Sequence, residues 1–145
     1  NSATFSMEEL AKFYKAGQFY IGTSKADAFN IPVLEAMAMG LVPIITPFGG
    51  QVDFVKDCSW TVGGELFSPV VDVNEKAIYE QARWLKIDQV GLRKALRHAY
   101  NLWLNDKEGL RVKSEKCIQA SKGWTWADSA KKLIEVLEND DKRAN

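Results

Sequence analysis

Residues 27–40 read Asp27-Ala-Phe-Asn-Ile-Pro-Val-Leu-Glu35-Ala-Met-Ala-Met-Gly40. Asn30 and Pro32 are helix-start signals and Gly40 is a stop signal, so the apolar run between them is predicted as a short helix. One carboxylate, Asp27, stands in the loop before it. A second, Glu35, faces inward from the helix itself, with seven residues between the two. Free backbone N–H groups at a helix start attract phosphate, and carboxylates accept paired hydrogen bonds from sugar hydroxyls. The layout suits an anionic ligand rich in hydroxyls. Taken singly the residues are ordinary: a loop aspartate is most often a turn former, and a helical glutamate most often a solvated side chain.

Outward from this stretch the chain reads as an α/β half followed by helices. Ser6 caps a first helix, with Glu9 completing a capping box and Phe5 placed to staple onto Leu10. Met7, Leu10, Ala11 and Tyr14 form its inner stripe, and Gly17 ends it. Residues 19–22 and 41–46 are two short buried strands, apolar on both faces as a parallel sheet requires. Residues 51–56 follow as a short helix, residues 59–62 as a third strand, and Gly63-Gly64 as a turn. From Asn74 the expectation is helical: Ala77, Ile78, Ala82 and Leu85 share one face, then Leu92, Leu96, Ala99 and Trp103 another. Residues 105–109 break the pattern weakly. A last helix starts at Thr125, capped with Asp128, and Trp126, Ala130, Leu133, Ile134 and Leu137 form its stripe. Trp124 and Trp126 are expected to pack structurally, and the polar residues 139–145 to fray.

Composition excludes several classes. Lys and Arg number 19 against 19 Asp and Glu, so no electrostatic case for nucleic acid or anionic membrane exists. No apolar run reaches membrane-spanning length, and the start is polar rather than a leader. Cys58 and Cys117 lack metal or redox spacing and read as reduced structural thiols of a cytoplasmic protein. His98 is the single histidine and reads as a surface residue, which argues against a histidine-based metal site or triad. At 145 residues the chain is about one domain, by a usual size of roughly 100–200 residues.

The stretch Asp27 to Glu35 resembles the E-x7-E signature of retaining GT-B glycosyltransferases of the group 1, or family 4, class. Further matches support the resemblance. Residues 6–17 look like the helix leading into the donor strand, and Phe19-Tyr-Ile-Gly-Thr-Ser24 like the strand and loop before the signature, with Thr23 where proline is usual. Leu41-Val-Pro-Ile-Ile-Thr46 is similar to the next strand, Gly49-Gly50 to the glycine pair after it, and Gly123-Trp-Thr-Trp-Ala127 to the tryptophan-bearing start of the last helix. The chain departs from the pattern at Asp27 for the first glutamate, Asn30 for a glycine, and Asp53 for a longer acid.

The resemblance implies a Rossmann-like parallel sheet, the C-terminal donor domain of such an enzyme over residues 1–138, incomplete on its N-terminal side. It implies retaining transfer of a sugar, hexosyl in kind, from a nucleotide-diphosphate donor to a carbohydrate, lipid or protein acceptor. No cofactor and no metal are expected. Asp27 and Glu35 match the catalytic carboxylates, Asp27 toward donor-sugar hydroxyls and Glu35 toward ribose. Ala28, Phe29 and Asn30 supply neighbouring backbone groups, and Ile31 and Val33 are the candidate phosphate-binding amides, since Pro32 has no N–H. Gly49, Gly50 and Lys25 are further candidates, each with an ordinary reading beside it, and residues 4–6 are placed beside the base. The missing N-terminal GT-B domain would carry acceptor binding, and with it any peripheral membrane association, so the isolated chain is expected to be inactive. Two other readings are a non-catalytic nucleotide-sugar-binding or interaction module and a GT-B-type sugar-nucleotide epimerase.

Overall fold

The computed structural model of the chain describes residues 5–70, 79 and 81–144. Among the described residues the elements run α1 (Met7–Lys15), β1 (Phe19–Gly22), α2 (Ile31–Ala38), β2 (Val42–Ile45), α3 (Val52–Val55) with a 3₁₀ turn (Lys56–Cys58), β3 (Trp60–Thr61), β4 (Gly64–Phe67), β5 (Trp84–Ile87), α4 (Gln89–Asn105), α5 (Lys107–Ser121) and α6 (Trp126–Ala144). β1, β2 and β3 form a parallel sheet in that order, with Phe19 opposite Val42 and Ile44 opposite Trp60. The mixed α/β, Rossmann-like architecture expected from the sequence is the one observed.

Burial explains the order. Every residue of β2 is buried, as the central strand of a parallel sheet covered by helices on both faces must be. Val33 and Met37 of α2, Phe54 and Val55 of α3, and Leu110 and Cys117 of α5 pack with Val42 and Ile45 in the largest core cluster. Ile44 packs instead with Val62 and with Ala99 of α4. The capping box at Ser6 and Glu9 forms as expected, with the Ser6 amide donating to Glu9 Oε2 at 2.8 Å, and Phe5 stacks on Phe13 at 5.9 Å.

α2 has a well-defined start and stop. Asn30 precedes it at φ 66, ψ 62, a left-handed conformation that Asn tolerates best among residues with a Cβ. Its side chain does not cap the helix. At the far end Gly40, at φ 86, and Leu41 return their amides to the carbonyls of Met37 and Ala36 at 3.0 and 2.9 Å, a Schellman closure. We expect Asn30→Gly to lower the melting temperature only by what the buried hydrogen bond to Gln51 contributes, since glycine keeps the left-handed backbone without strain. Asn30→Val loses the same bond and should lower it by several degrees more, because a β-branched side chain resists positive φ. Equal melting temperatures for the two variants in thermal denaturation would contradict the left-handed assignment.

Three expectations are corrected. Gly64 does not turn the chain but opens β4, which pairs antiparallel with β5, so Leu85 sits opposite Leu66 in a strand rather than on a helix face. A Cβ at Gly64 would lie 2.2 Å from the Lys86 carbonyl oxygen, which is why glycine stands there. Ala77 and Ile78 of that expected face lie outside the described residues, and Ala82 precedes β5. The apolar stripe of α6 is not core: Trp126 is 84% exposed and Leu133 61%. Of the two tryptophans expected to pack, only Trp124 does, in a triangle with Phe29 and Phe54 at 5.8 and 5.6 Å. α6 itself runs to Ala144.

Candidate functional site

Parallel strands aim their C-terminal ends, and the loops that follow, toward one edge of the sheet, where such folds bind ligands. The loop after β1 carries Asp27, and the loop after β2 carries Gly49 and Gly50. The two loops are in direct backbone contact. The Gly50 amide donates to the Ala28 carbonyl at 2.8 Å, and a Cβ on Gly49, itself at φ 81, would stand 2.1 Å from the Asp27 carbonyl oxygen. The glycine pair therefore lets one stretch of backbone lie against another.

A buried side chain completes this junction. Gln51, 1% exposed, donates its amide N–H to the Thr46 carbonyl at 2.6 Å and to the Phe48 carbonyl at 3.0 Å, while its Oε1 accepts from Asn30 Nδ2 at 2.7 Å. The Thr46 hydroxyl in turn donates to the Ser24 carbonyl at 3.1 Å. Asn30 thus spends its side chain on Gln51 and its backbone on the turn into α2. Gln51 was missed by sequence reading; the only signal was a polar residue directly after two glycines.

The two carboxylates differ in what already holds them. Asp27 accepts the Phe29 amide at 3.1 Å through one oxygen, an Asx turn, so the turn-forming reading of this residue is physically present. Glu35, partly exposed on α2, accepts the Tyr14 hydroxyl at 3.0 Å. Burial first, then the Glu35 hydrogen bond and charge, pushes the Tyr14 hydroxyl up to about 12, so it remains a neutral donor around pH 7. Tyr20 on β1 lies within the field of both Asp27 and Glu35, and burial with these two charges raises its hydroxyl above the ordinary value. By its spacing Tyr14 belongs to the α1 stripe, and its polar tip is the only sequence signal for this second contact.

Space opens on both sides of Glu35. A cavity of about 430 Å³ is lined by Phe29, Ile31, Leu34, Glu35, Trp124 and Trp126, among others. A smaller one of about 140 Å³ runs between α1 and α2, past Met7, Leu10, Tyr14 and Glu35. The Val33 amide, expected to be free for phosphate, instead donates to the Asn30 carbonyl at 3.1 Å, the first bond of the helix, and the Val33 side chain is fully buried. Ile31 begins α2 with its side chain 47% exposed at the mouth of the larger cavity. Lys25 has an exposed side chain, and its carbonyl accepts the Leu85 amide at 2.8 Å, tying the signature loop to β5. Ser6 is engaged in the α1 cap, and residue 4 lies outside the described part. No cluster of metal-ligating side chains occurs among the described residues.

A family model, glycosyl transferases group 1, matches residues 3–103. The chain belongs to this glycosyltransferase family. Among curated relatives, a viral protein that carries the name glycosyltransferase 41, from Sulfolobus islandicus filamentous virus (isolate Iceland/Hveragerdi), is 27% identical over 146 aligned residues, covering 95% of the chain. The chain spans 37% of that relative's length. Both matches agree with the resemblance read from the signature. No described helix is long and apolar enough to cross a membrane.

Proposed function

We propose that this chain is the donor-binding domain of a two-domain, GT-B-type glycosyltransferase that takes a sugar from a nucleotide diphosphate with retention of configuration. The observation that supports this reading most is the setting of Glu35. It is a carboxylate on a helix that starts from a left-handed residue, partly exposed, steadied by a neutral tyrosine, and flanked by cavities on both sides.

In this reading Glu35 accepts hydrogen bonds from the two ribose hydroxyls, with Tyr14 holding the carboxylate in place from the other side. The first amide of α2, at Ile31, faces the diphosphate, where the positive end of the helix dipole counters charge that grows as the leaving group departs. Asp27 keeps one oxygen in its turn and offers the other to donor-sugar hydroxyls. Ala28, Phe29 and Asn30 present backbone along the sugar, and Lys25 stands at the edge of this loop. Gly49 and Gly50 serve by holding the loop in position. Chemistry of this kind runs on amides, basic groups and carboxylates, without a metal or other cofactor. The acceptor, whether carbohydrate, lipid or protein, enters from the domain that faces this one across the cleft. The setting is cytoplasmic, where nucleotide sugars are made.

The test is titration of the purified chain with UDP-, GDP- and ADP-sugars by NMR, with and without EDTA. One wall of a cleft should bind weakly, with Kd around 1 mM or poorer, and with shifts centred on residues 27–35. Binding should be unaffected by EDTA, and the isolated chain should release no nucleotide in the presence of acceptors. Shifts confined to other faces of the sheet would refute the site. Turnover by the isolated chain would refute its role as one half of the enzyme.

A further inference from the structure

Cys58 and Cys117 belong to no part of the proposed donor site. Cys58 ends the 3₁₀ turn after α3, and Cys117 lies on the inner face of α5. Both are free thiols and both are buried, at 3% and 0% exposure. Far apart in sequence, they meet in the core: the Cys117 thiol donates to the Cys58 carbonyl at 3.3 Å, and the Cys58 thiol to the Val55 carbonyl at 2.8 Å. Beside them a cavity of about 460 Å³ reaches Cys58 itself, between Val55 and Asp57 on one side and Val112, Glu115 and Lys116 of α5 on the other.

We propose that Cys58 and Cys117 are a redox-responsive pair, which closes to an intramolecular disulfide when a small disulfide reaches Cys58 through this cavity. The attacking sulfur is Cys58. The cavity is lined by Cys58 and not by Cys117, which is fully buried on α5, so an incoming disulfide meets Cys58 first. Only the thiolate attacks. With cystamine as oxidant, the Cys58 sulfur bonds to one cystamine sulfur, the cystamine S–S bond breaks, and one cysteamine leaves. Cys117 then loses its proton and attacks the Cys58 sulfur of the mixed disulfide, expelling a second cysteamine. Two protein thiols are oxidised, one cystamine is reduced, and the two thiol protons end on the two cysteamines.

The bond would tie the turn after α3 to α5, across the core cluster that also holds α2. Treating the folded chain with cystamine should therefore give a monomer lighter by two hydrogens, with a Cys58–Cys117 peptide in a non-reducing digest. The melting temperature should rise by several degrees and return to its starting value on reduction. Cys58→Ala and Cys117→Ala should each abolish the mass loss, and the wild-type digest stands on its own if either variant fails to fold. A persistent mixed disulfide, a disulfide-linked dimer, or unreacted thiols in the folded chain would each overturn the proposal. So would oxidation with no change in melting temperature.

Discussion

Gly49→Ala is expected to unfold the chain at a temperature at least about 10 °C lower than the parent, a loss of about 3 kcal/mol or more. Two costs add. A residue with a Cβ at φ 81 pays about 1–2 kcal/mol for left-handed backbone. The methyl group would also sit 2.1 Å from the Asp27 carbonyl oxygen, and a backbone atom cannot rotate away as a side chain can. The signature loop must shift, and the Gly50 to Ala28 hydrogen bond and the Gln51 to Asn30 bond go with it. Gly63 and Gly123 are the controls, since a Cβ at either meets nothing within 4 Å. Their alanine variants should melt within about 2 °C of the parent. Calorimetry in which Gly49→Ala melts alongside Gly123→Ala would show that the two loops are not in contact.

The same contrast shows what was legible in the sequence and what was not. Local signals were read well because their physics is local. Ser6 with Glu9 forms the expected box, Asp128 bonds back to Thr125, and residues 19–22 are the expected strand. Asn30 in place of glycine pointed to positive φ, which the backbone adopts. The misses are all contacts between distant segments. β4 and β5 pair across a long separation, and four residues of each carry too little periodicity to announce it. The α6 stripe has helical spacing, yet spacing reports only that a face is apolar and says nothing of whether it is covered. Gln51 looks like any surface glutamine until three segments close around it.

The candidate site follows the same division. The motif spacing put Asp27 and Glu35 on a loop and a helix, and the sheet brings their elements to one edge. What spacing could not convey is that each carboxylate is already partly engaged, Asp27 by the Phe29 amide and Glu35 by Tyr14. A carboxylate has four lone-pair positions, so one internal bond orients it and leaves the rest for a ligand. The α1 helix, which seemed only to precede the donor strand, contributes the Tyr14 hydroxyl that does this for Glu35. The Val33 amide, by contrast, is already taken by the Asn30 carbonyl in the first turn of α2.

Glu35→Ala in the complete enzyme should weaken nucleotide-sugar binding by at least tenfold, while leaving the melting temperature within a few degrees of the parent. Each charge-assisted bond from a ribose hydroxyl is worth about 1.5–3 kcal/mol, and losing even one exceeds the about 1.4 kcal/mol that a factor of ten in Kd requires. Stability should change little, because Glu35 is only partly buried and its removal leaves Tyr14 beside an open cavity that water can enter. Tyr14→Phe separates the two roles. It deletes the hydroxyl that orients the carboxylate but keeps the carboxylate, so its loss of affinity should be smaller than that of Glu35→Ala. Glu35→Gln, which keeps the shape and loses the charge, should fall between the parent and the alanine variant. Isothermal titration with the nucleotide alone and with the nucleotide sugar checks the location, since a ribose contact must weaken both equally. Unchanged affinity in Glu35→Ala, or a loss seen with the sugar nucleotide but not with the bare nucleotide, would remove Glu35 from the ribose and place it elsewhere on the donor.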